Sequence, residues 1–159
     1  MRLRILFVIL SVCISVSLGG VLAYLTSGYL ESRMVPVEPC SSVIRNGKFI
    51  DESLEHYQFN GVITWWPKLH RLTLFGVKTD EAGNRVFNRT LQLKSVTQKG
   101  NVINGRVAEL KIAVGDQLPQ KTFLISEDDQ YINLLFKPIN KNSWLMKIND
   151  NWVAMCEYK

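Results

Sequence analysis

Acid–base or nucleophilic catalysis and metal binding all need reactive side chains at short, patterned spacings, and this chain offers few of them. Its two histidines, His56 and His70, stand apart, and no Cys/His/Asp group has metal-ligand spacing. Both read as surface or strand-edge residues. The paired carboxylates Asp51-Glu52 and Asp128-Asp129 lie in turn-like contexts, and the second pair, just before Gln130, suits a solvated hairpin tip. No serine sits in a nucleophile elbow, and no glycine-rich loop precedes a helix. The chain is therefore expected to be non-enzymatic, with no metal and no cofactor.

The cysteines carry more information. Cys13 lies inside an apolar run without the small-residue context of an acylated cysteine, and reads as a lipid- or helix-facing side chain. Cys40 and Cys156 bracket almost all of the remaining chain. Their positions favour one disulfide, with buried free thiols or pairing to another chain as the alternatives. Closing so long a loop stabilises a fold by about 4–5 kcal/mol in the chain-entropy model.

The aromatic residues are the other candidates. Trp65 and Trp66 are adjacent in a strand-like segment, so they must face opposite ways. One enters a core, and the other stays outside where it can anchor a partner. The remaining tryptophans and phenylalanines either fill a barrel interior or line a cavity for an apolar or amphipathic ligand. Trp65 and Trp66 are thus the weak candidates for partner or ligand contact, and sequence alone does not separate the two roles.

The elements that must position these residues begin with an uncharged run from Ile5 to Leu25. As a helix it spans roughly 31 Å, close to the hydrocarbon thickness of a bilayer. Arg2 and Arg4 precede it, Glu31 and Arg33 are the next charges, and Tyr24 and Tyr29 lie where interfacial aromatics are expected. The basic flank places the N-terminus in the cytoplasm. A cleaved signal peptide is the competing reading, with Val21 and Ala23 as a weak cleavage pair, and the length of the run favours a retained anchor. Gly19-Gly20 permits close helix approach but is weak evidence for dimerisation.

The expected organisation is a cytoplasmic tip over 1–4, a transmembrane anchor over 5–25, a juxtamembrane linker over 26–39 and a β-rich domain over 40–159. Pro36 and Pro39 oppose helix continuation in the linker. The whole chain carries a net charge of +5; setting Arg2 and Arg4 aside leaves 17 basic and 14 acidic residues, or +3. The basic residues form no run, which argues against nucleic acid as a direct partner.

Within 40–159, residues 51–56 could form one or two helical turns, and strands follow. Tyr57, Phe59, Gly61, Ile63 and Trp65 share a period-2 face, and Pro67 ends that strand. Leu69 to Thr79 is a second strand with a bulge expected near Phe75. Phe87, Leu91 and Leu93 face inward in a third, and Ala108, Leu110, Ile112 and Val114 in a fourth. A short apolar piece, Phe123 to Ile125, precedes inward sets at Ile132, Leu134 and Phe136, then at Trp144, Met146 and Ile148. The last inward set is Trp152, Ala154, Cys156 and Tyr158. Short strands joined by polar turns predict a mainly β fold: one N-terminal helix, then a small antiparallel lipocalin-like barrel or meander.

The layout resembles the FidL-like family of small enterobacterial inner-membrane proteins. The matching features are Met1-Arg-Leu-Arg4, one uninterrupted anchor, a cysteine soon after it, the strand Phe59-Asn-Gly-Val-Ile-Thr-Trp65, and a cysteine near the C-terminus. The resemblance implies a bacterial inner-membrane protein with its C-terminal domain in the periplasm. Asn88-Arg-Thr90, a glycosylation sequon in form, has no meaning there. It further implies an accessory role similar to that of ToxS and VtrC. The periplasmic domain would pair with a single-pass winged-helix regulator of the ToxR or CadC kind and contribute most strands of a shared barrel. A bile salt or another amphipathic small molecule would be the signal. The rival expectations are a stand-alone periplasmic module for lipid or another hydrophobic ligand, and a structural subunit of an envelope assembly.

Overall fold

A computed structural model describes residues 13–26, 34–50, 56–119, 129–149 and 152–158. The chain divides into two compact units, Met1–Arg33 and Met34–Lys159. In the first, residues 13–26 are helical, with Ser17 and Thr26 hydroxyls donating back to the carbonyls of Cys13 and Leu22. Among the described residues no helix is long and apolar enough to cross a membrane. The expected anchor starts at Ile5, and its first eight positions, together with Tyr29, lie outside the described residues.

The second unit is a closed antiparallel barrel of eight strands in sequence order. They are β1 (Cys40–Ile50), β2 (His56–Trp66), β3 (Arg71–Asp80), β4 (Gly83–Lys99), β5 (Val102–Ile112), β6 (Tyr131–Pro138), β7 (Ser143–Ile148) and β8 (Trp152–Tyr158). Alternation puts Tyr57, Phe59, Ile63 and Trp65 of β2 inside, with Leu72 and Leu74 of β3 and Phe87, Leu91 and Leu93 of β4. Ile132, Leu134 and Phe136 of β6 and Trp144, Met146 and Ile148 of β7 complete most of the core. Side chains this large fill the middle of an eight-stranded barrel. Gly61 and Gly76 face each other across β2 and β3, and the Phe59 ring lies against both, so that a Cβ at either would stand 2.4 Å from it. Only glycine admits that approach.

Closure is uneven. Strands β2, β3 and β4 pair along almost their whole length, whereas among the described residues β1 and β8 are registered only at Cys40↔Tyr158 and Ser41↔Glu157. The Cys40–Cys156 disulfide crosses that short seam, with Cα atoms 5.4 Å apart.

Several local expectations require correction. There is no bulge at Phe75; β3 keeps its phase and Phe75 points outward, 57% exposed. The irregularities lie instead between Ile44 and Gly47 of β1 and around Leu93 to Thr97 of β4. The second also changes the reading of β5. Gln92 pairs with Glu109 but Leu93 pairs with Val107, so Ala108 is extruded and the phase flips. Ile103 and Val107 face inward, Leu110 is half-buried, and Ala108, Ile112 and Val114 are exposed. Residues 51–55, Phe123 to Ile125, Asp128 and the side chain of Trp152 lie outside what is described. Val35 and Pro36, within the expected linker, are buried in the barrel unit.

Candidate functional site

The tryptophan pair marks one end of the barrel. Pro67 has no N–H to continue the β2 ladder, so the chain leaves the sheet in a 3-10 turn, Pro67–Leu69, closed by His70 in the left-handed region at φ 46°. That turn is tied to β4: the Leu93 N–H donates to the His70 carbonyl at 2.8 Å, and the Gln92 side-chain amide donates to the Leu69 carbonyl at 2.7 Å. Opposite it stand Val96 and Gln98 of β4 and Ile103 of β5. Residues 35–37 run over this end, and the Val37 N–H donates to the Tyr158 hydroxyl at 3.1 Å.

Beside residues 35–37 is a half-open hollow of about 330 Å³, lined by Val35, Pro36, Val37, Trp65, Val96 and Ile103, with Pro67, Lys68, His70 and Gln98 completing its lining. The wall is mostly apolar. Trp65 is 1% exposed, and its indole N–H has no hydrogen-bond partner among the described residues. The same holds for the Trp144 N–H and the Ser42 hydroxyl in this half of the barrel. Cys40 is registered with Trp65 and Cys156 with Trp144, so the disulfide lies between strand positions occupied by the two indoles. An unpaired buried donor costs about 1–3 kcal/mol; three lie in this half, and the Arg85 Nε at the other end is also without a partner among the described residues. Lys68 is held 2.7 Å from Glu38, and both are largely exposed, so that ion pair adds at most about 1 kcal/mol.

Trp66 faces outward, as expected for the neighbour of an inward tryptophan. It borders a second hollow, about 520 Å³, with Glu38, Pro39, Ser41, Thr64 and Tyr158. Its indole N–H donates to the Thr73 hydroxyl at 3.3 Å. Farther along the same outer face, Val43, Val62 and Phe75 are in register across β1, β2 and β3 and form an apolar row.

The opposite end of the barrel is built from charge. Arg89 grips Asp116 with two nitrogens at 3.0 and 3.1 Å, and also donates to the Leu118 and Pro119 carbonyls. Asp116 accepts the Asn88 and Leu118 N–H groups as well, and neither side chain of the pair is more than 3% exposed. Burial pushes the Asp116 carboxyl up, but Arg89 and those two N–H donors outweigh it and hold it below the usual carboxylate range. Nearby, Lys78 lies 3.2 Å from Asp80 and 4.6 Å from the Tyr57 ring centre, and Arg85 also contacts Asp80. Burial again opposes ionisation of Asp80, and Lys78 with Arg85 prevails, so its carboxyl too is lowered.

No protein-family model, curated protein or solved structure matches this chain.

Each candidate residue therefore has a place. Trp65 and Trp66 lie on the two sides of one strand end, and Cys40 and Cys156 meet in the bridge that closes that end. His56 and His70 are exposed, and no group of three or more potential metal ligands occurs among the described residues. Sequence reasoning missed the roof at 35–37 and the buried ions. For Lys78 a signal existed: it continues the inward positions Leu72, Leu74 and Gly76.

Proposed function

We propose that the protein is a non-enzymatic binding module of the bacterial envelope, whose barrel takes a small apolar molecule at the disulfide-bearing end. The observation that carries this reading is the mostly apolar hollow of about 330 Å³ beside residues 35–37, with the buried Trp65 side chain among its lining. Ligand sites are concave and mostly apolar, with few polar groups for orientation. In this reading the uncharged run from Ile5 to Leu25 is a single anchor in the inner membrane, the N-terminus is cytoplasmic and the barrel is periplasmic. The Cys40–Cys156 bridge suits that oxidising compartment. The full chain should take up N-phenyl-1-naphthylamine saturably at one per chain. Replacing Val35 in the roof by tryptophan should abolish uptake without unfolding the barrel. Uptake that is non-saturable, or indifferent to Val35→Trp, would sink the proposal.

A second reading makes the barrel the sensory half of a pair with a membrane-bound winged-helix regulator, ToxR- or CadC-like, and touching no DNA itself. It is favoured by the hollow beside Trp66 and the outer row Val43, Val62 and Phe75, of which Val43 and Phe75 are more than half exposed. All eight strands of the barrel come from this chain, so the partner would dock against the wall. A signal then acts by binding the paired state more tightly than the separated one. Crosslinking in the native membrane should recover a single-pass regulator, and Trp66→Ala should reduce the yield. Recovery of the protein alone would leave the first reading standing by itself.

A further inference from the structure

Resting on the envelope-anchor part of that reading, we infer that the barrel end bearing the hollow docks on the anionic phospholipid headgroups of the membrane that holds the chain. Charge comes first. Three short links meet at this rim: residues 67–70 between β2 and β3, 100–101 between β4 and β5, and 139–142 between β6 and β7. They carry Lys68, His70 and Lys141 and no acidic residue. The short links at the other end of the strands, 51–55, 81–82 and 149–151, carry Asp51, Glu52, Glu55, Glu81 and Asp150 and no basic residue.

The strand ends beside the rim strengthen the contrast. Lys99 closes β4 and Lys137 lies near the end of β6, and both are exposed, as are Lys68 and Lys141. The exposed carboxylates at this rim are Glu38 and Glu157. Lys68 holds Glu38 at 2.7 Å, whereas Lys99, Lys137 and Lys141 form no ion pair among the described residues. Met34, Val37, Leu69 and Ile139 share the rim, and each is exposed by two-fifths or more. Lysines around exposed apolar side chains suit an anionic interface, where the ammonium groups meet phosphate and the apolar groups enter the headgroup layer.

Reach comes second. Residues 34–39 lead into β1 at this rim, and the helix is described as far as Thr26. Even fully extended, the residues numbered 27–33 span at most about 25 Å. With Ile5 to Leu25 in the bilayer, the covalent link therefore keeps this rim near the headgroups, and an attraction that acts over about 8 Å at physiological salt can close the remaining gap. Lys68 and His70 line the hollow as well as standing exposed on the rim. Docking thus brings the edge of the hollow to the bilayer, so an apolar ligand dissolved in lipid reaches it without crossing water.

The full chain is reconstituted in nanodiscs of phosphatidylcholine alone and of phosphatidylcholine with phosphatidylglycerol at two to one. Amide hydrogen exchange is then followed by mass spectrometry. Segments 67–70, 99–101 and 137–142 should exchange three- to tenfold more slowly in the anionic discs. Segments 80–84 and 112–117, at the other end, should exchange alike in both. High salt should remove the protection. Combining Lys99→Glu, Lys137→Glu and Lys141→Glu should abolish it, while the amides of β2, β3 and β4 stay as protected as in the parent chain.

Equal exchange in the two lipids, slowing at both ends, or slowing that survives the charge reversal would overturn docking on anionic headgroups. Saturable N-phenyl-1-naphthylamine uptake in the same discs would show that the binding module stands without it. A chain that alkaline carbonate washes from its native membrane would remove the anchor reading, and this inference with it.

Discussion

At the end of the barrel that holds Arg89 and Asp116, every carboxylate oxygen of Asp116 meets a donor, and the Arg89 guanidinium reaches two backbone carbonyls as well. At the end that holds Trp65 and Trp144, the wall is apolar and the two indole N–H groups have no partner among the described residues. The ends use opposite means to occupy space in the same barrel. Charge at the first end is expensive to bury and is offset by pairing Arg89 with Asp116 and Lys78 with Asp80, although the buried Arg85 Nε has no hydrogen-bond partner among the described residues. The second end leaves an apolar hollow, and its unpaired donors are buried behind the wall. One end is a plug, and the other, in the proposed reading, is a receptor.

The largest test of that contrast is the bridge at the receptive end. Replacing both Cys40 and Cys156 by alanine should destabilise the domain by about 4–5 kcal/mol, because the closed loop spans most of the barrel. Equilibrium urea unfolding measures it, and a loss under about 1 kcal/mol would mean that the β1–β8 seam closes without the bridge. Next comes the plug: Asp116→Ala leaves Arg89 buried and uncompensated and should cost about 3–5 kcal/mol in the same assay.

Acid should act on the plug as well. The carboxyls of Asp80 and Asp116 are lowered in the folded state, so their contribution is complete above the unfolded-state value of about 4 and is lost as pH falls through the folded values. Thermal midpoints should therefore hold steady from about pH 7 to pH 5 and fall below about pH 4. Asp116→Ala should flatten that fall; an unchanged acid limb would place the sensitivity elsewhere. The smallest effect belongs to the receptive end, where Trp65→Phe deletes a donor that has no protein partner and should change stability by less than about 1 kcal/mol. A loss as large as that of Asp116→Ala would show that the Trp65 N–H is structurally satisfied and remove the basis of the contrast.

The same contrast explains what could be read from the residues in advance. The receptive end rests on short-range pattern: Tyr57, Phe59, Ile63 and Trp65 alternate regularly, Pro67 stops the strand, and the opposite facing of Trp65 and Trp66 follows from pleat geometry. Cys156 was likewise in phase with an inward face. The plug was not legible, because Arg89 finds Asp116 27 positions away in a loop, and no local pattern joins them. Strand β5 was misphased for a related reason. The extrusion of Ala108 depends on how β4 bends beside it, and Ala108 itself carries no mark of it. The apolar run at Leu74-Phe75 suggested a bulge, whereas Phe75 simply continues an outer row with Val62 and Val43. Local alternation is visible in sequence; departures from it are set by the neighbouring strand.

The short seam between β1 and β8 also governs when the domain can come into being. Strand β1 is an early part of the barrel to leave the ribosome, yet its second neighbour is β8, and Cys40 waits for a partner 116 positions later. Until β8 is available, the chain has an open sheet with both edges unpaired, and its exposed strand edges are the kind that seek foreign strands. Maturation of this protein is thus a race between closure and misassociation. It ends when Cys40 and Cys156 join the first strand of the barrel to the last.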